Sequence, residues 1–274
     1  MPKIVAVHSF LRGTGKSTVT ANLAVLLAAQ GQRVAVVDAD VGSPALHLLF
    51  GVLNDTGCCL NNYLRGECDI VDTIRDVTPK LGGQVTGAVL LIPASDDVSE
   101  LARAARESHS FDPFCQGSQE LLVQLGLDVL LLDVPAGLNE ASLSLIGLSD
   151  AAAIILRLDK QDYQGTSVTL EVARRLGVPR LMLVVNLAPL MYDPAEIKSR
   201  VMQTYDCELV AVLPHSDEIM ALSSAAIFAV SHPNHPMTSL LRQIANGLTE
   251  GNRKAETFAS ACGLMRDNEG WEGD

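Results

Sequence analysis

Gly13-Thr14-Gly15-Lys16-Ser17-Thr18 is the stretch of this chain whose residue types most plainly do chemistry. Glycines let backbone N–H groups approach an anion that a Cβ would hold off. A lysine directly after them reaches the β- and γ-phosphates of a nucleotide, and the serine hydroxyl beside it suits Mg²⁺. The loop follows an apolar run, Ile4-Val5-Ala6-Val7, and precedes a helical spacing of Val19, Leu23, Val25, Leu26 and Leu27 that closes at Gln30-Gly31. Strand, glycine loop and helix in that order form a phosphate cradle, because loop amides and the helix N-terminus both carry partial positive charge. The spacing departs from G-x-x-x-x-G-K-[ST] at one place, where Phe10 stands at the first glycine.

Carboxylates end two further apolar runs. Asp38-Ala39-Asp40 closes a strand over 33–37, well placed for Mg²⁺ and water beside a phosphate loop. Asp133 closes Val129-Leu130-Leu131-Leu132, the arrangement in which a strand-end carboxylate holds Mg²⁺ directly or through water. In the Val134-Pro135-Ala136-Gly137 that follows, Gly137 offers a backbone N–H able to approach a γ-phosphate. Asn186, after a strand over 180–185, can donate to and accept from the N6/N7 edge of adenine. A guanine-reading loop would want N-K-x-D, and Leu187 and Pro189 replace its lysine and aspartate, which favours ATP over GTP. Pro214-His215-Ser216-Asp217-Glu218 follows a strand over 209–213, with His215 read as a loop residue near the base rather than an acid or base.

The loop and the Val34-Ala35-Val36-Val37-Asp38-Ala39-Asp40 run downstream resemble the deviant Walker A ATPases of the MinD/ParA family, over about residues 3–248. That family's loop reads K-G-G-x-G-K-[ST]; Gly13, Gly15, Lys16 and Ser17 match it, while Leu11 falls at the signature lysine and Arg12 at the first glycine. Asp133, Pro135, Ala136 and Gly137 match its D-x-P-[AP]-G. The resemblance implies that Asp40 orients the attacking water, that Asp38 lies close to the Mg²⁺ shell and that the loop led by Pro214 packs along the adenine. It also implies ATP and Mg²⁺ as ligands, slow hydrolysis, a nucleotide-dependent homodimer, a protein partner or activator, and the positioning of cellular cargo.

The two departures matter for rate. In the family the signature lysine reaches across a dimer, and a cation so placed acts like an arginine finger, worth ~10³ to 10⁵ in rate. Leu11 cannot do this. Arg12 could supply the cation, since guanidinium grips phosphate bidentately; Lys160 could do so instead; or the chain is a non-hydrolysing, ATP-dependent regulatory module. The bulk of Arg12 would also weaken face-to-face approach of two protomers. A metallochaperone-like use of Cys58, Cys59 and Cys68 is a further reading.

A chain of 48% apolar but only 4% aromatic residues builds an aliphatic core, which suits parallel strands buried on both faces. No run reaches the ~18–20 apolar residues of a membrane span, and no secretory signal is evident, so a cytoplasmic protein is expected. The net charge of −12 argues against a broad nucleic-acid surface, leaving local DNA or membrane contact open. Six cysteines show no C-x-x-C spacing and read as reduced thiols. Helices are expected over 45–50, 96–107, 118–125, 162–176 and 236–248, strands over 89–93 and 152–158, and short helices and loops over 54–83. Residues 109–117 read as a loop, and Tyr63 and Phe114 as packing residues. The expected fold is α/β, a mostly parallel sheet sandwiched by helices, of the P-loop NTPase type. One ATPase domain would span 1–250, followed by an acidic, disordered tail over 251–274 that lacks the basic amphipathic membrane helix ending MinD-like proteins.

Overall fold

The chain builds, in order, β1 (Lys3–His8), α1 (Lys16–Ala28), β2 (Arg33–Asp38), α2 (Leu46–Leu49), α3 (Leu60–Leu64), β3 (Arg75–Asp76), β4 (Ala88–Ile92), α4 (Val98–Ala104), α5 (Asp112–Gln124), β5 (Val129–Asp133) and α6 (Glu140–Leu148). It continues through β6 (Ala151–Leu156), α7 (Lys160–Arg175), β7 (Arg180–Ala188), α8 (Pro194–Tyr205), β8 (Glu208–Pro214), α9 (Asp217–Ala221), α10 (Phe228–Ser231) and α11 (Pro236–Thr249). The structure is a computed structural model describing residues 2–249 apart from 54–56, 84, 105 and 107–109. Its strands form one eight-stranded sheet in the order β3-β4-β2-β5-β1-β6-β7-β8. Every neighbouring pair is parallel except β3 with β4, where Arg75 and Asp76 run antiparallel to Leu91 and Leu90.

Connectivity creates the crevice. From β1 the chain passes through α1 to β2 on one flank, and β6 is later laid on the other flank, so the carboxyl ends of β1, β2 and β5 open onto a switch point in strand order. Alternation then fills both layers. Val5, Val7, Val34, Val36 and Leu131 pack with α1, α2, α10 and α11. Ile4, Ala6, Ala35, Val37, Leu130 and Leu132 pack with α5, α6, α7 and α8. Each such side chain contributes about 1.5–3 kcal/mol on burial, which is why these strands need no polar face.

Several expectations change in the structure. Residues 112–117 are helical: α5 begins at Asp112, with Pro113 in its first turn, where a missing N–H costs nothing. Gly117, which looks like a loop marker, instead accommodates Tyr63, whose hydroxyl would lie 3.1 Å from an added Cβ. That hydroxyl donates to the Pro113 carbonyl at 3.0 Å, and Phe114 is buried, so both aromatics pack as expected. The 96–107 helix is shorter, Val98–Ala104, and buries no residue; Val98 is 80% exposed, so its apolar spacing does not mark a core face. Positions 105 and 107, like the tail over 251–274, lie outside the described residues. The apolar spacing of α1 is not one stripe, since nearly the whole helix is buried between the sheet, α2, α10 and α11. Unanticipated α8 is capped by the Asp193 side chain, accepting from Ala195 N–H, and buries Ile197, Val201 and Tyr205 at four-residue spacing.

Candidate functional site

Gly15 caps α1 in the left-handed region at φ 81°, and Gly13 stands at φ 75°. Both conformations favour glycine, and at Gly15 an added Cβ would also collide with the Asn186 side-chain amide. Asn186 donates from Nδ2 to the Thr14 carbonyl at 2.7 Å, so this residue, expected to read adenine, holds the loop itself. Phe10 is anchored from the other side. Its ring occupies the space that any Cβ on Gly165 of α7 would need. Gly137 differs from expectation: its N–H donates to the Ser9 carbonyl at 3.0 Å and is not aimed at a γ-phosphate. The physical reason is that Gly137, at φ 82°, folds back over the loop and satisfies a buried carbonyl there.

Below the loop, the Lys16 ammonium lies 2.7 Å from Asp133 Oδ1, the pair being 7% and 0% exposed. Thr20 Oγ1, one turn further along α1, lies within hydrogen-bond reach of the Lys16 carbonyl at 3.0 Å and of the same Asp133 oxygen at 3.1 Å, its one proton shared between the two. Asp133 Oδ2 is buried with no hydrogen-bond partner among the described residues. Asp38 sits beside Asp133 in the β2–β5 register and is fully buried. Its Oδ2 accepts from Ala45 and Leu46 N–H at 2.9 and 2.8 Å, so it caps the entry to α2, while Oδ1 has no partner among the described residues. Burial, then the neighbouring Asp133 charge, push its carboxyl up to about 7 against the pull of those amides and Lys16. Asp40 is also raised by burial, with Lys16 and Arg12 opposing; Arg12 pairs with it at 3.6 Å.

A cavity of ≈ 230 Å³ opens above this set. Arg12, Gly13, Thr14, Gly15, Lys16, Ser17, Thr18 and Asp40 line it, with Ser9, Ser43, Ala45 and Ala136. Asp38 and Asp133 are fully buried and are not part of this lining. Lys160 is elsewhere: it is the first residue of α7, exposed, behind the Asp159 side chain that caps that helix. Pro214 ends β8, and His215 follows with its N–H donated to the Ala188 carbonyl and its ring 3.4 Å from Asp217. None of the three lines the cavity.

Thr20, Ser43 and His8 were missed by sequence reasoning. For Thr20 the signal was available, since it stands four residues after Lys16 and hence on the same helical face. His8 is wholly buried at the end of β1. Burial, then the Lys16 charge, hold it down at about 3, against a weaker opposing pull from the Pro135 carbonyl. An anion and a divalent cation fit this arrangement: the cradle leaves open space at Gly13 for phosphate oxygens, and Asp133 keeps a buried oxygen without a hydrogen bond among the described residues. Elsewhere, Cys58, Cys59 and Cys68 lie near one another, but among the described residues no set of three or more His, Cys, Asp or Glu side chains is arranged to hold a metal.

The fold and site together define a P-loop nucleotide-binding protein with its loop at the switch point of a mostly parallel sheet. Residues 5–227 match the profile of the CobQ/CobB/MinD/ParA nucleotide binding domain, and the chain belongs to that family. It is similar to an uncharacterized ATP-binding protein of Methanocaldococcus jannaschii, 26% identical over 264 residues and 93% of each chain. It is also similar to a putative septum site-determining protein MinD of Guillardia theta, 29% identical over 82% of this chain and 79% of that one. Among solved structures, MinD of Pyrococcus horikoshii in complex with Mg-ADP shares the fold, with a TM-score of 0.71 and 23% identity over 94% of this chain and 98% of that one.

Proposed function

We propose that this chain binds Mg-ATP in the 13–18 loop, hydrolyses it slowly, and couples nucleotide state to homodimerisation and to the positioning of a protein partner or cargo in the cytoplasm. The single observation that carries this reading is the Lys16–Asp133 contact under a glycine cradle. It keeps a cation and a carboxylate desolvated and ready, in the place where a triphosphate and its metal would each take one of them. Lys16 and the loop amides would stabilise the transferring phosphoryl group, and Thr18 would extend the contact along the phosphate chain. Ser17 and Asp133 would hold Mg²⁺, with Asp38 behind them bracing the segment that carries Asp40. Bound Mg²⁺ would supply charge neutralisation between the outer phosphates. Asp40 would direct water. The base would lie toward Asn186, Pro214 and His215, with Gly137 following the phosphate end through its contact with the loop. Support for the nucleotide comes from the family and from the Mg-ADP named for the Pyrococcus structure. One ATPase domain would span 1–250.

Arg12 and Lys160 remain rival sources of the missing trans cation. Arg12 lines the cavity but is paired with Asp40; Lys160 is exposed and has no ion-pair partner among the described residues. Single-turnover hydrolysis by Arg12→Ala and Lys160→Ala separates them: the variant that loses rate names the cation, and unchanged rates in both dismiss both. The Arg12–Asp40 pair also favours a second reading, a non-hydrolysing switch, because it occupies the carboxylate meant for water. Phosphate release with and without DNA, lipid vesicles or candidate partners decides between the two. Absence of any adenine-nucleotide affinity in Mg²⁺ buffer, by calorimetric titration, would overturn the whole proposal.

A further inference from the structure

Among the described residues two donors hold the Asp133 carboxylate, and both act on Oδ1: the Lys16 ammonium at 2.7 Å and the Thr20 hydroxyl at 3.1 Å. The backbone behind it is fixed, since Asp133 ends β5 in register with Val7 of β1 on one side and Asp38 of β2 on the other. Only the carboxylate is left to turn. Thr20 reaches it from a wholly buried place in α1, where a β-branched residue does little for the helix itself. Its hydroxyl has one proton and two acceptors within reach, the second being the Lys16 carbonyl at 3.0 Å. That carbonyl lies inside α1, where the amide four residues on serves it, so it loses little when the hydroxyl turns away. The carboxylate has no such reserve once Lys16 is gone.

We propose, on the nucleotide reading above in which Lys16 turns to the outer phosphates, that Thr20 is the positioning residue that lets Lys16 leave Asp133. While Lys16 covers Oδ1, the Thr20 hydroxyl is divided between carboxylate and carbonyl. Once the ammonium is drawn onto phosphate, Oδ1 is the stronger acceptor and the hydroxyl turns fully to it, because a charge-assisted hydrogen bond is roughly twice as strong as a neutral one. The carboxylate then keeps its place, and Oδ2, without a hydrogen bond among the described residues, stays available to a cation. Without the hydroxyl, Lys16 reaches the phosphates only by leaving a buried carboxylate bare. The nucleotide-free protein, still covered by Lys16, feels that loss less than the nucleotide-bound one. The cost therefore falls on binding.

The test is equilibrium titration of the full chain with ADP, in EDTA and again in Mg²⁺. Thr20→Val keeps the shape and removes the hydroxyl; it should bind ADP about 10-fold more weakly than wild type in EDTA, the lower end of what a hydrogen bond to a charged group is worth. Thr20→Ser and Thr20→Ala share the lost methyl and differ in the hydroxyl. Serine should stay within about 3-fold of wild type, and alanine should fall with valine. That pair decides the matter even if Thr20→Val fails to fold. The same ranking is expected in Mg²⁺. Urea midpoints of the nucleotide-free variants are the control: a hydroxyl that merely braces the fold would lower them and leave the affinity of the folded chain unmoved. Wild-type chain that binds no ADP in either buffer overturns the nucleotide reading and this inference with it. Wild-type binding that Thr20→Ala leaves unchanged in both buffers, or serine as weak as alanine, overturns this inference alone.

Discussion

Gly165→Ala should do the opposite of what helix propensity alone dictates. In an ordinary helix interior this change stabilises by about 1 kcal/mol, because alanine gives up less backbone entropy. Here the new methyl would occupy the space of the Phe10 ring, and forcing extra volume into a packed contact costs about 1–3 kcal/mol. The net expectation is destabilisation by about 1 kcal/mol. With Phe10→Ala already in place, the ring is gone and Gly165→Ala should recover its gain of about 1 kcal/mol, a coupling of about 2 kcal/mol in the double-mutant cycle. Urea midpoints of the four proteins give the cycle, and ADP titration should show weaker binding for Gly165→Ala alone, since Phe10 leads straight into the loop. A single variant that is more stable than wild type, or a cycle that closes near zero, would refute the claim that α7 and the loop are wedged together through this ring.

Lys16→Ala should abolish nucleotide binding and, in nucleotide-free protein, cost about 3 kcal/mol by leaving Asp133 as a buried, half-paired charge; an unchanged denaturation midpoint would show that the pair is not formed in solution. Asn186→Ala removes the donor to the Thr14 carbonyl and should cost about 1–2 kcal/mol, weakening ADP binding along with it. If it lowered affinity with no loss of stability, the amide would be touching nucleotide instead of loop. His8 gives a pH signature. Its folded value, about 3, lies below the ordinary ~6.5 of an unfolded histidine, so its contribution is fully present above pH ~6.5 and fades as pH falls toward 3. At pH 5 the loss is about 2 kcal/mol, worked from protonation of the unfolded chain alone. Buried Asp38 and Asp40, raised in the fold, act in the opposite sense. The quantity to measure is therefore the stability difference between wild type and His8→Leu at pH 8 and pH 5, which should shift by that amount; a constant difference would mean the ring is solvated.

The sequence alone determined the cradle and most of the sheet. Glycines, lysine and serine in a fixed order leave few conformations that place them usefully, and aliphatic runs in this chain can be satisfied only when both faces are covered, so β1, β2, β4, β5 and β6 were legible as runs. Asp133 and Asp38 were legible as strand ends for the same local reason. Only the tertiary structure decided which partners these groups take. Lys16 lies on Asp133, 117 residues away; Asn186 holds a carbonyl 172 residues earlier; Gly165 is glycine because of Phe10. No periodicity encodes such contacts, since they arise from register between strands and from which helix covers which face. Gly117 and Gly137 mislead for one reason: a glycine's lack of a side chain is visible in sequence, but whether a turn, a neighbouring ring or a returning carbonyl requires it is settled only by what the fold brings against it.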